Sequence, residues 1–163
     1  MAFPTVYAGQ LLTAGLIAQM APVNVSATLR RYNGQSIPDS TSTAVTWHDE
    51  LEDSAGGHDN VTNNSRWYAP RDGRYILLPG LTWANNATGR RAYFFKVNGA
   101  TNYNGDSRTA GAATNVINSG GRTLRLAAGE YLEVFAFQTS GGGLNIDGAT
   151  NDGCFLTIDY VGP

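Results

Sequence analysis

A chain of 163 residues is long enough for one domain with a real hydrophobic core. Hydrophobic residues make up 42% of it and charged residues only 15%, with 20 glycines and many Asn, Thr and Ser between the apolar runs, a composition of sheets and turns rather than helices. A formal charge of −2 and an isoelectric point near 5.6 exclude an electrostatic nucleic-acid binder, which needs a basic face.

Residues 1–22 carry no charged side chain. Thr13 is placed to cap a short helix with Leu12, Leu16, Ile17 and Met20 near one face, and Pro22 ends it. So short a helix is marginal alone in water, so it packs on its own domain or docks on a partner. No Lys or Arg precedes Arg30, and Gln10 and Gln19 break the apolar stretch, so it does not read as a secretory signal. No apolar run approaches the roughly 20 residues of a membrane helix. The expected division is an attachment segment over 1–22 and a domain over 23–163.

From Val23 the pattern is of strands. Residues 23–29 alternate in period two, 32–35 form a turn, and a short strand is expected over 44–47. The acidic stretch 48–60 (HDELEDSAGGHDN) reads as a long surface loop. A strand over 65–69 ends in Pro70-Arg71-Asp72-Gly73, which is turn chemistry. Strands follow over 74–81, 82–85 and 91–97, and Asn98-Gly99 is a strong hairpin signal. Residues 101–113 are rich in Gly and Ala and give no clear element, while 114–117 suit an edge strand. Residues 153–161 close the domain, with Phe155, Thr157 and Asp159 alternating against Leu156, Ile158 and Tyr160.

The stretch 123–143 organises the rest. Leu124 and Leu126 mark one short strand, residues 127–130 a tight turn, and 131–137 a second strand, so a β-hairpin is expected. In the second strand Leu132, Val134 and Ala136 share one face, while Tyr131, Glu133, Phe135 and Phe137 share the other. A solvated sheet face is ordinarily polar. These three aromatics need a cover, and a second copy of the chain is the first candidate. Eight to ten short strands at near-regular spacing imply a β-sandwich or barrel.

Trp67-Tyr68-Ala69-Pro70-Arg71-Asp72-Gly73-Arg74-Tyr75 resembles the "F-x-A-P-x-x-G-x-Y" stretch of the globular head of complement's first component, whose family shares a ten-stranded jelly roll with tumour necrosis factor. Residues 45–53 stand where that family has its "I-x-F-D" strand and loop. Lys96-Val97-Asn98-Gly99 resembles "I-x-x-N-G", and residues 124–134 resemble "L-x-L-x-x-G-D-x-V-x-V". Phe155-Leu156 stands for the closing "S-x-F-x-G" strand, although Gly153-Cys154 replaces the usual small-hydroxyl entry. The likeness runs from Val23 to Val161 in order. It implies an all-β, ten-stranded jelly-roll sandwich that forms homotrimers, here through Tyr131, Phe135 and Phe137. Burying each ring contributes about 1.5–3 kcal/mol. The chain is also similar to bacteriophage virion proteins of about this length, in which a short start like Tyr7-Ala8-Gly9-Gln10-Leu11-Leu12-Thr13-Ala14-Gly15-Leu16-Ile17 precedes such a domain, and no collagen-like Gly-x-y tail is present.

Catalytic signals are sparse. His48 and Asp49 with a nearby Ser would sketch a triad, but no G-x-S-x-G elbow supports it. Asp49, Glu50, Glu52, Asp53 and Asp59 offer oxygens to Ca²⁺ without the spacing of a helix-loop-helix site, and the turns at Asn145-Ile146-Asp147 and Asn151-Asp152 are similarly loose. No metal or other cofactor is therefore expected. Trp47, Trp67 and Trp83 fall within strand patterns and read as core before a sugar platform. Cys154, the single cysteine, reads as a small buried hydrophobe. Four Asn-x-Ser/Thr sequons begin at Asn24, Asn60, Asn63 and Asn86 and matter only in a glycosylating host.

The expected function is that of a trimeric phage decoration or minor capsid protein, without enzymatic activity, attached to other virion proteins by residues 1–22. The loops after Trp47 and around Asn102 would face outward. The alternatives are a tail-associated protein that grips a host-surface glycan, and a secreted cytokine-like module.

Overall fold

A computed structural model describes residues 25–111, 116–147 and 153–163. Among them are thirteen strands and no helix: β1 (Ser26–Arg31), β2 (Gln35–Ile37), β3 (Thr43–Ala44), β4 (Asp49–Asp53), β5 (Arg66–Tyr68), β6 (Gly73–Thr82), β7 (Arg90–Val97), β8 (Thr101–Thr109), β9 (Ile117–Ser119), β10 (Arg122–Leu126), β11 (Tyr131–Gln138), β12 (Leu144–Ile146) and β13 (Cys154–Gly162). The first sheet has the order β10-β6-β13-β1-β4, with β9 also on β6. The second has the order β3-β11-β7-β8, with β5 also on β11, and β2 pairs with β12 in a small ribbon. Five of the thirteen, β2, β3, β5, β9 and β12, are only two or three residues long.

The two sheets form a sandwich around one core. Ala27, Leu29, Leu77, Leu81 and Ile158 enter it from the first sheet, and Phe95, Leu132, Val134 and Ala136 from the second, all at 0% exposure. Trp47, Trp67 and Trp83 are also fully buried, as their strand patterns implied. Cys154 is buried too, and burial pushes its thiol up to about 11. The closing strand pairs with both β6 and β1, and Leu156 and Ile158 are its inward residues, so the alternation read from the sequence holds.

The expected hairpin over 123–137 is not one. β10 pairs with β6 in the first sheet, and β11 pairs with β7 in the second. Both strands bury alternate residues in the same core, so the 127–130 turn carries the chain across the sandwich instead of folding it back. The turn after β5 makes the reverse crossing, from the second sheet to β6 in the first. The two corners lie side by side. The Ala69 amide donates to Glu130 O at 2.8 Å, the Gly129 amide to Ala69 O at 2.8 Å, and the Ala128 amide to Asp72 Oδ1 at 2.8 Å. Gly73 is required there: its φ is +151°, and a Cβ would lie 2.3 Å from the Tyr160 ring and 2.6 Å from Gly162 O. The Tyr75 hydroxyl donates to Arg71 O at 2.7 Å and so clamps the corner from inside.

The acidic stretch also differs from its reading as loop. Asp49–Asp53 is the edge strand β4, paired with β1 through a register shift between Thr28 and Leu29. An edge strand needs only one partner, and acidic side chains discourage a second chain from adding to it. Residues 101–109, which gave no clear element, form β8 against β7. Of the edge strand expected over 114–117, residues 114 and 115 lie outside the described residues, and Ile117 begins β9. The Asn98-Gly99 turn joins β7 to β8 with φ of +52° and +70°, the paired positive values of a type I′ hairpin turn.

Candidate assembly and ligand surfaces

Each sheet turns one face to the core and one outward. On the second sheet the outward residues of β11 are Tyr131, Glu133, Phe135 and Phe137, and register sets Phe94 beside Phe135 and Ala92 beside Phe137. Phe94 and Phe135 stack, with centroids 5.6 Å apart and planes at 17°, and Tyr68 lies against Tyr131. All three sequence-predicted aromatics are half-buried within a single copy. Their cover comes from cations of the same chain. Arg66 lies 4.2 Å from the Tyr131 centroid, Lys96 Nζ 4.2 Å from Phe135, and Arg90 5.1 Å from Phe137. The carboxylates nearby are engaged: Glu133, 6% exposed, accepts from Ser65 Oγ at 2.7 Å, and Asp106 pairs with Arg108 at 2.7 Å. Arg90 and Lys96 have no ion-pair partner among the described residues, so this face is basic on an acidic chain.

The first sheet presents a different surface. Register places Ile76, Leu78 and Gly80 of β6 on the same outward side as Asp159, Thr157 and Phe155 of β13, with Thr28 of β1 beyond them. Ile117 of β9 joins them beside Thr82. Leu78 is 43% exposed and Ile117 52%. The Phe155 ring rests on Gly80, where an added Cβ would meet it at 2.4 Å. The sequence pattern did not single out this patch. Its signal was Tyr75-Ile76-Leu77-Leu78, apolar on both faces of a strand.

The remaining candidates do not assemble a reactive centre. Asp49 is held by Arg30, while His48 Nε2 faces Arg31 Nη1 at 3.2 Å, so the sketched triad is not formed. Burial, with the Arg31 charge beside it, pushes His48 below the ordinary histidine value. His58 is clamped between Glu50 Oε1 at 2.7 Å and Asn64 O at 3.2 Å. The Asp59 carboxyl accepts the amides of Thr62 and Val61, which hold it below the usual carboxylate range. Among the described residues no three His, Cys, Asp or Glu gather as metal ligands. No described helix is long and apolar enough to cross a membrane. Leu12, Leu16, Ile17 and Met20, assigned to attachment, lie outside the described residues, as do Asn151 and Asp152.

No family model matches the chain, and no curated protein matches it. Solved structures do. The globular domain of zebrafish complement 1qA superposes with a TM-score of 0.60 at 14% identity, covering 84% of this chain and 97% of that one. Murine APRIL gives 0.62 at 16% identity, covering 85% and 99%. The Eiger TNF of S. frugiperda gives 0.58 at 13% identity, covering 85% and 92%. The jelly roll expected from residues 67–75 and 124–134 is therefore the fold of this chain.

Proposed function

We propose that the protein is a non-catalytic structural module that works as an assembly of identical copies, a homotrimeric virion component of the decoration or minor capsid kind, attached to its particle through residues 1–22. The jelly-roll fold and the bare aliphatic patch support the assembly. The virion role and the attachment segment are supported by the sequence resemblance at residues 7–17. One observation carries the self-association: Leu78 and Ile117 stand 43% and 52% exposed on a strand-built face beside Ile76 and Phe155. Exposed aliphatic side chains on one outward sheet face suit a contact, and burying each aliphatic contributes about 1.5–3 kcal/mol. That patch is the better interface than the sequence-predicted Tyr131, Phe135 and Phe137, whose rings are already capped by Arg66, Lys96 and Arg90.

The test is sedimentation of the full chain. Wild type should run as a multiple of the 17.3 kDa chain, and Leu78→Asp with Ile117→Asp as a folded single copy. A wild-type monomer would refute the assembly. Deleting residues 1–20 should leave a folded assembly that no longer joins particles. A tail-associated, receptor-binding role is the second reading, favoured by the basic, aromatic outward face of the second sheet. Hundreds of copies per particle mean decoration, and a few dozen or fewer mean tail. A secreted cytokine-like module is the third reading, and export of the intact chain from a eukaryotic cell would support it.

A further inference from the structure

The outward face of the second sheet holds a recess of about 470 Å³, within the roughly 300–1,000 Å³ of small-molecule sites. Its shape follows from three features of the sequence. Ala92 sits in register beside Phe137 and one step along β7 from Phe94, so a small residue lies between two large rings and leaves a gap. β8 carries an extra residue opposite β7, a bulge between the Ala92 and Phe94 registers, and such bulges re-aim side chains at strand edges. The bulge includes Gly105, where a Cβ would meet the Tyr93 ring at 2.1 Å, so no larger residue fits there.

Polar groups ring this gap. Ser42, Arg90, Asn104, Asp106 and Ser107 line it with Phe94 and Phe137. Asp106 is occupied through one oxygen: its Oδ2 accepts from Arg108 Nε at 2.7 Å, Asn118 Nδ2 at 3.2 Å and the Ser119 amide at 3.3 Å. The Ser42 and Ser107 hydroxyls, the Asn104 carboxamide and the Arg90 guanidinium make no hydrogen bond to any described residue. Arg90 is nevertheless held in place. Its amide donates to Thr139 Oγ1 at 3.0 Å, and its guanidinium lies 5.1 Å from the Phe137 centroid. Beneath it, the fully buried Arg91 donates to the carbonyls of Thr88 at 2.8 Å and of Asn86 and Arg90 at 3.1 Å, fixing the turn that carries Arg90.

We propose that this recess binds an acidic sugar residue, a pyranose bearing a carboxylate or a phosphate. A purely apolar ligand would leave three neutral polar groups and a cation without partners, and a bare anion would leave both ring walls unused. A sugar ring packs its C–H surface on the parts of Phe94 and Phe137 that line the recess, beside Arg90, and offers hydroxyls to Ser42, Asn104 and Ser107. The acidic substituent forms the charge-assisted bond to Arg90, which Asp106, held by Arg108, does not compete for. The proposal rests on the assembly reading in one respect, that copies meet through the first sheet and leave this face open.

The test is titration of the ¹⁵N-labelled full chain with glucuronic acid, glucose 6-phosphate, glucose and inorganic phosphate. Saturable amide shifts at Ala92, Phe94, Asn104 and Ser107 are expected with one or both acidic sugars, and which of the two binds separates carboxylate from phosphate. Arg90→Gln should weaken that binding at least about tenfold while leaving glucose unaffected. Ala92→Leu, on the solvent side of a strand, should fill the gap and abolish binding in a folded chain. No saturable shift with either acidic sugar overturns the proposal, as does glucose or inorganic phosphate binding equally well. Sedimentation of the same samples reads the assembly separately, so a failed titration beside an intact oligomer rejects only the sugar site.

Discussion

The two outward sheet faces both carry apolar side chains, but of different kinds and with different neighbours. On the second sheet, Arg66, Lys96 and Arg90 lie across Tyr131, Phe135 and Phe137, so the rings find partners within their own chain. On the first, Leu78 and Ile117 face solvent bare. An aromatic ring has a negative face that attracts a cation, whereas an aliphatic side chain has no such face, so only another apolar surface can cover it. On the proposed reading, the composition of the cover and not aromatic content alone marks where copies meet.

The harshest way to break the comparison removes the frame that both faces share. Gly73→Val sets a branched side chain at φ +151° against Tyr160 and Gly162 O and should cost about 3 kcal/mol or more, read by denaturant unfolding. A variant as stable as wild type would show that the paired corners are not rigid. Next in size, Phe135→Asp with Phe137→Asp should lower stability by about 1–3 kcal/mol in total and leave the sedimenting mass unchanged. Dissociation by this pair would return the interface to the second sheet and close the sugar recess with it. Lys96→Ala, which uncovers Phe135, should cost only about 0.5–1 kcal/mol and raise binding of an apolar dye. If dye binding stays flat, the cation is not the cover. Smallest of all is a null effect. With its thiol pushed up to about 11 inside β13, Cys154 should resist alkylation at pH 8 in the native protein and react fully in denaturant. Rapid native labelling would mean that the first sheet opens readily.

Alternation made the inward residues legible. Leu132, Val134 and Ala136 are buried as a period-two reading demands, and so are Leu156 and Ile158 of the closing strand. Alternation says which way a side chain points, not which strand lies beside it. β10 and β11 are adjacent in sequence and alike in pattern, yet they join different sheets, because the corner at 127–130 is fixed by distant partners at Ala69 and Asp72. β4 was illegible for a related reason: four acids in five residues look like loop, and only its pairing with β1 makes a strand of them. The second-sheet surface was half legible. Phe135 and Phe137 stood out in the sequence, whereas Ala92 between the rings and Arg90 beside them gain meaning only from the β7–β11 register.

The paired corners have a consequence for how the molecule comes apart. Since β5–β6 and β10–β11 each step from one sheet to the other at the same end, and Ala69, Gly129 and Glu130 tie the steps together, neither layer can peel away while its mate stays intact. Amide exchange should therefore show strands of both layers sharing a single global opening, reached slowly because so many of the contacts join residues far apart along the chain.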